Sequence, residues 1–407
     1  MKTAIELKTE IERIFGRENY LPEVFLGAFE DGLYEVCKNF SRGKIEVVMA
    51  EKDFKKVGST ILEKIKSFGV GVQLLLIEDR DFSYSAVKSS FNGSFGCCIA
   101  VGDKYLLSAV RYYSSLNGTP CYAIPITPCF DKVLAPNVYL KTKALTAEMP
   151  AEKFKKVIID ENLILKSRSE SFAEAYASSV SKLMGLIDYK LNCFLNGTAV
   201  DERFFTAVKQ GINLALGSTS CENAKQAIIA SQAVLAIATG KSDALLYTGA
   251  ECIKTALSVY AHEAKDCKKE FISFEKTLKL YHLFFSNDFS DLLSVPDYYV
   301  DTEALEKDFK RDRAFFIKNV KIPSEKRRRL ISLLLLKTSS DFKAETTAIM
   351  RALTGIKRVY VSMLGVQGDG NISYKQIKNS VTASTYLTDR VTALTLMRDL
   401  GVLQCAN

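Results

Sequence analysis

The sequence predicts two domains: an α/β half built on a parallel sheet, followed by an all-helical half. Three observations predict it. Strand-like and helix-like segments alternate through about residue 165. Beyond residue 168 strand signals largely vanish, and long helix-patterned runs take over. Between them, "GCCIAVGDKYLLSAVRYYSSLNG" places a single glycine, Gly102, at a strand-to-helix turn, where an α/β sheet keeps its ligands. The domains are read as residues 1–167 and 168–407.

The elements follow in order. "LPEVFLGAFEDGLYEVCKNF" reads as an opening strand, a glycine and a helix. "KIEVVMA" (44–50) is β-rich. "DFKKVGSTILEKIKSFG" (53–69) is an amphipathic helix closed by a glycine. "VGVQLLLIE" (70–78) is a strand, "AVKSSF" (86–91) a short helix and "GCCIAVG" the next strand. The helix "YLLSAVRYYSSLNG" leads to the strand "PCYAIPIT" (120–127), and "KVIIDENLIL" (156–165) reads as the last strand. This order calls for parallel strands with helices on both faces. Helices are then expected in "SESFAEAYASSVSKLMGLIDYKLNCFL" (169–195), "ENAKQAIIASQAVLAIATG" (222–240) and "DALLYTGAECIKTALSVYAHEAK" (243–265). Further helices are expected in "KEFISFEKTLKLYHLFF" (269–285), over 324–353, and near 384–400.

Composition narrows the chemistry. With 407 residues, 47% hydrophobic and 25% charged, the chain has ample core for two domains. A net charge of +8 admits anionic ligands but, with no recognisable module, does not argue for nucleic acid. The ten cysteines contain no CxxC pair, which suits a reduced, cytoplasmic setting. No window is long and charge-free enough to span a membrane, and the charged "MKTAIELKTEIERIFGREN" has no apolar signal core. Only two histidines occur, His262 and His282, so the commonest metal ligand and general base is nearly absent.

Three stretches in this order resemble the glycerol-1-phosphate dehydrogenases of the iron-containing alcohol dehydrogenase and dehydroquinate synthase superfamily. They are "LPEVFLGAFEDGLYEVCKNF", "GDKYLLSAVRYYSSLNGTPCYAIPITPCFDKVLAP" and "YLTDRVTALTLMRDLGVL" (386–403). The resemblance implies a Rossmann-like first domain and a dehydroquinate synthase-like helical domain that carries the metal and substrate site. It implies NAD(P), and a divalent metal held by one aspartate and two histidines that polarises the substrate oxygen for hydride transfer. It also implies a small phosphorylated polyol as substrate, and self-association.

Carried over residue by residue, the cofactor loop falls on Gly102, Asp103 and Lys104, of which only the first is glycine. There Asp103 would repel a pyrophosphate, while Lys104 would add an attracting positive charge but also a long side chain in the backbone's path. The acidic residue that meets the ribose falls on Ala50, with Glu51 one step along, and the aspartate of the following helix falls on Ser108. In the Pro-Thr-Ala-Pro-Ser-x-Asp segment, Pro125, Pro128 and Asp131 match. Its threonine and serine have become Ile126 and Cys129, its final glycine is Lys132, and Thr127 supplies a nearby hydroxyl. Asp131 and Lys182 are the candidate substrate contacts. The metal-ligand positions fall on Ser178, Cys252 and Cys267, with His262 the only other nearby ligand type.

Simpler readings stand beside these. Cys252 and Cys267 suit small buried helix positions. His262 suits an exposed helix position and His282 a packed one. Asp131 suits either a ligand contact beyond a strand end or a turn cap. "EKRRRL" (325–330) suits a solvated helix face. "GDGNISYKQIKNS" (368–380) imitates a calcium loop but has Tyr374 where glycine is needed and Ser380 where the bidentate glutamate belongs. The changes in loop, turn and metal site point to a divergent family member without metal-dependent dehydrogenase activity, acting as a binding or scaffold subunit. The alternative is an active NAD(P)-dependent dehydrogenase of glycerol phosphate or a related polyol.

Overall fold

The computed structural model describes residues 23–40, 44–78, 96–141, 146–217, 221–242, 248–287, 325–364, 372–387 and 390–400. The short helix expected at 86–91 lies outside them, as do Asp369 and Asn371 of the imitation calcium loop.

The order of elements begins β1 (Glu23–Leu26), α1 (Phe29–Lys38) and β2 (Lys44–Ala50). Next come α2 (Glu51–Asp53), a wider π-wound stretch (Phe54–Gly58), α3 (Ser59–Ser67) and β3 (Gly71–Ile77). β4 (Cys97–Gly102), α4 (Lys104–Leu116) and β5 (Cys121–Pro125) follow. A hairpin, β6 (Asn137–Lys141) and β7 (Thr146–Pro150), precedes β8 (Lys156–Ile159) and α5 (Glu161–Ile164). Helices complete the chain: α6 (Ser169–Asn196), α7 (Glu202–Leu216), α8 (Cys221–Lys241), α9 (Gly249–Tyr260) and α10 (Asp266–Phe285). The last are α11 (Glu325–Leu364), α12 (Tyr374–Ser384) and α13 (Ala393–Asp399).

Six strands form one parallel sheet in the order β1-β8-β5-β4-β2-β3. β2 and β4 are buried almost throughout, so each reads as a mainly apolar run rather than an alternation, interrupted in β2 by Glu46. No strand occurs beyond β8 among the described residues. The expected α/β-then-helical order is therefore the observed one.

Two local readings change. "KVIIDENLIL" is not one strand: Asp160 ends it by accepting from the amides of Asn162 and Leu163, which starts α5. The expected helix over 243–265 is described only as Gly249–Tyr260, begun by the Thr248 side chain accepting from the Glu251 amide. By compactness the chain divides into two units. One is Met1–Ser179 with Thr206–Asp243, and the other is Val180–Phe205 with Ala244–Asn407.

One buried group in the first unit works against its stability. Glu46 lies on β2 in register with Gln73 and Cys98, is 2% exposed, and its Oε2 has no hydrogen-bond partner. Burial pushes its carboxyl from 4.5 to about 7. Between those values the folded chain holds a proton that the unfolded chain releases, so stability falls as pH rises through the window. Glu46→Gln is expected to be nearly neutral near pH 4.5 and to add about 1–3 kcal/mol above pH 7. Urea unfolding at pH 4.5 and pH 8 measures this, and a variant less stable at pH 8 would refute it.

Candidate functional site

The chain reverses its direction of travel across the sheet between β2 and β4, which sit side by side. In open α/β sheets the crevice beyond the strand ends at such a point receives the ligand. Here β2 delivers Ala50 and Lys52, and β4 delivers Gly102, Asp103 and Lys104.

Asp103 is the N-cap of α4. Its Oδ1 accepts from the amide of Tyr105 at 3.0 Å and from that of Leu106 at 3.1 Å. Its other oxygen lies 3.9 Å from Lys52 Nζ, a residue delivered by the neighbouring strand end. The helix therefore spends its first free N–H groups on its own carboxylate, where a phosphate would otherwise rest. The Lys104 ammonium pairs with Glu174 and lies 3.6 Å from Cys129 Sγ. Gly102 has a packing reason as well, since a Cβ there would collide with Leu106. Glu51 is exposed, Ala50 is buried, and Ser108 and Thr127 are half-buried.

The turn after β5 is equally engaged. Gln232 Oε1 accepts from the amides of Phe130 and Asp131, each at 3.0 Å. Gln232 Nε2 donates to the Ala175 carbonyl and to Ser179 Oγ, each at 3.0 Å. Asp131, 3% exposed, accepts from Ser178 Oγ at 3.2 Å, and its carbonyl accepts from the Thr239 hydroxyl. Asp131 and Ser178, one a substrate and one a metal candidate, thus meet as a buried hydrogen-bonded pair. Sequence reasoning did not single out Gln232, Glu174 or Thr239. A glutamine in the apolar run "AIIASQAVLAIA" was the available signal, because a buried amide must find partners.

In the second unit, Lys182 is buried and its Nζ lies 3.3 Å from Glu251 Oε1. Cys252 and Cys267 are buried, and the Cys267 carbonyl accepts from Tyr360 Oη at 3.1 Å. His262 is exposed beside Glu263, and His282 Nδ1 is 3.4 Å from Thr346 Oγ1. Tested against a divalent metal, the residues do not fit. Ser178 gives its hydroxyl to Asp131, the two histidine positions carry thiols, and both histidines are engaged elsewhere. No group of three or more His, Cys, Asp or Glu among the described residues is arranged to hold a metal. Eight described cysteines are unbridged and buried, and no described helix is long and apolar enough to cross a membrane.

No protein-family model matches the sequence, and no curated protein matches it. Solved structures do match in shape. A probable glycerol dehydrogenase from Sinorhizobium meliloti superposes with a TM-score of 0.59 at 10% identity, over 94% of this chain and 96% of that one. Glycerol dehydrogenase from Schizosaccharomyces pombe gives 0.54 at 11% identity, over 93% and 96%. An iron-containing alcohol dehydrogenase from Thermotoga maritima gives 0.52 at 13% identity, over 94% and 97%. Over nearly its whole length, the chain has the fold of the iron-containing alcohol and glycerol dehydrogenases.

Proposed function

We propose that this is a divergent, glycerol-1-phosphate dehydrogenase-like protein that acts as a binding or scaffold subunit rather than as an NAD(P)- and metal-dependent dehydrogenase. The observation that carries the reading is the Asp103 carboxylate on the Tyr105 and Leu106 amides. An incoming pyrophosphate must displace an anion already tethered to the helix, and it meets that anion's charge as it approaches. Gln232 on the Phe130 and Asp131 amides supports the same reading for the neighbouring turn. The metal-ligand positions, filled by Ser178, Cys252 and Cys267, support it for the second cofactor.

A small phosphorylated polyol is the ligand class to screen, and self-association is part of the proposal. The buried thiols, none of them in a disulfide, favour a reducing, cytoplasmic setting. Neither nucleic acid nor membrane insertion belongs to it.

Titration calorimetry with NAD and NADP tests the reading. Wild type is expected to bind neither more tightly than millimolar, about 4 kcal/mol. Glycine at an N-cap costs only a few tenths of a kcal/mol, so Asp103→Gly should fold. It is expected to bring binding of at least one cofactor below about 1 mM. A micromolar dissociation constant for wild type would replace this reading with that of an active NAD(P)-dependent dehydrogenase.

A further inference from the structure

The parallel sheet ends on two unlike edges. β1, at one edge, is four residues long, and β3, at the other, is seven. β3 runs in unbroken register along β2, from Gly71 opposite Lys44 to Ile77 opposite Ala50. Apart from that ladder, residues 71–77 make no hydrogen bond among the described residues, and no strand lies on their outer side. In a parallel pair alternate residues turn their N–H and C=O groups away from the neighbour, so the outer side of β3 is a row of main-chain donors and acceptors. Edge strands are ordinarily kept from pairing by shortness, a charged side chain, a proline or a bulge. "GVQLLLI" has none of these. Val72, Leu74 and Leu75 are half-buried, and Leu76 is 38% exposed.

We propose that the β3 edge is the surface through which the chain self-associates: β3 pairs antiparallel with β3 of a second copy about a twofold axis at Leu74, joining two six-stranded sheets edge to edge. This register sets Leu74 against the partner's Leu74, Val72 against the partner's Leu76 and Gln73 against the partner's Leu75. Side chains alternate along a strand, so Val72, Leu74 and Leu76 of both copies fall on one face as a continuous apolar stripe. The main-chain bonds supply affinity and the stripe fixes the register. Charge selects a second copy over a charged peptide. The strand carries no charge, so two copies bring no like charges together, whereas an acidic or basic peptide would find no counter-charge. The proposal deepens the self-association proposed above and rests on it, and it makes no use of the nucleotide loop.

The test is light scattering on the full chain at about 50 μM, well above the dissociation constant of a stable dimer, with circular dichroism to confirm folding. Wild type is expected at the mass of two chains or an even multiple of it. Leu74→Lys and Leu74→Asp, which set like charges against each other across the axis, are each expected to lose this pairing and to halve in mass. Mixed in equal amounts, the two variants are expected to reassociate, because lysine then faces aspartate. Should the Leu74 variants not fold, Leu76→Lys, at the exposed position, is expected to raise the dissociation constant about tenfold or more. A monomeric wild type would overturn both this proposal and the self-association it rests on. An assembled wild type whose mass is unchanged by Leu74→Lys, or whose dissociation constant is unchanged by Leu76→Lys, would overturn the β3 edge alone. Leu74 variants that dissociate but stay monomeric on mixing would overturn the pairing about Leu74.

Discussion

Asp188→Ala is expected to destabilise the chain by about 3–5 kcal/mol. Asp188 sits on α6 and is 2% exposed. Its carboxylate accepts from the Gly249 amide at 2.9 Å, the first residue of α9, and from the Ala393 amide at 2.9 Å, the first of α13. Tyr281 on α10 donates to it at 2.7 Å. One side chain thus satisfies free N–H groups of two helices and fixes the tyrosine of a third. Gly249 is part of the arrangement, because a Cβ there would collide with the Tyr281 hydroxyl. Alanine leaves three buried donors without an acceptor, at about 1–3 kcal/mol each before relaxation.

Burial is the main influence on this carboxyl and carries it from 3.8 to about 7, against the bonds from Gly249, Tyr281 and Ala393 that pull it down. Between those values the folded chain holds a proton that the unfolded chain loses, so this group's contribution to stability falls as pH rises from 4 to 7. Asparagine carries no such proton. Asp188→Asn should therefore show its greatest deficit near pH 4–5 and a smaller one at pH 8. Urea unfolding followed by circular dichroism across that range checks both variants. A loss below about 1 kcal/mol for alanine, or an asparagine deficit that grows with pH, would show that Asp188 does not hold the helices as described.

How legible these features were depends on how local their physics is. β2 and β4 were readable because a strand buried on both faces is mostly apolar, as "GCCIAVG" is and as "KIEVVMA" is apart from Lys44 and Glu46. α11 runs to Leu364, beyond the expected residue 353, because Ile356, Tyr360 and Met363 continue its buried stripe. Asp103 was legible too, as an aspartate immediately before an apolar helical run. The family resemblance directed attention to the phosphate that the loop would hold, and away from the cap the residue makes. The Asp131–Ser178 pair, Gln232 on the turn amides and the triple role of Asp188 were not legible. Their partners lie 47, 101 and up to 205 positions away, and nothing in a local pattern reports such a bond.

The hairpin of β6 and β7 was missed for a related reason, and it supplies the second large expected effect: Arg111→Ala should cost about 3–4 kcal/mol. "NVYLKTKALTAEMP" is too polar to announce itself, and two strands alone are marginal in water. What fixes them is on α4. Arg111, 2% exposed, donates to the carbonyls of Val133 at 3.4 Å and Pro136 at 3.2 Å on one flank of the hairpin. It donates to those of Ala151 at 3.2 Å and Glu152 at 2.7 Å on the other. Tyr112 and Tyr113 pack the same hairpin through Val138, Leu140 and Met149. Burial lowers the Arg111 pKa to about 10, with Cys121 and Glu152 opposing, and the guanidinium lies 5.5 Å from the Phe154 ring. It therefore stays charged at neutral pH and serves four carbonyls, the Val133 one fully buried. Lysine keeps the charge but not the fork, so one ammonium cannot reach both flanks. Arg111→Lys is expected to lose about 2 kcal/mol, between wild type and alanine. Amide hydrogen exchange separates this from a general loss of stability: β6 and β7 should lose protection first in both variants, while β4 and β5 keep theirs. Equal loosening of all four strands would mean that Arg111 supports the sheet as a whole and that the hairpin is held by its apolar contacts with Tyr112 and Tyr113.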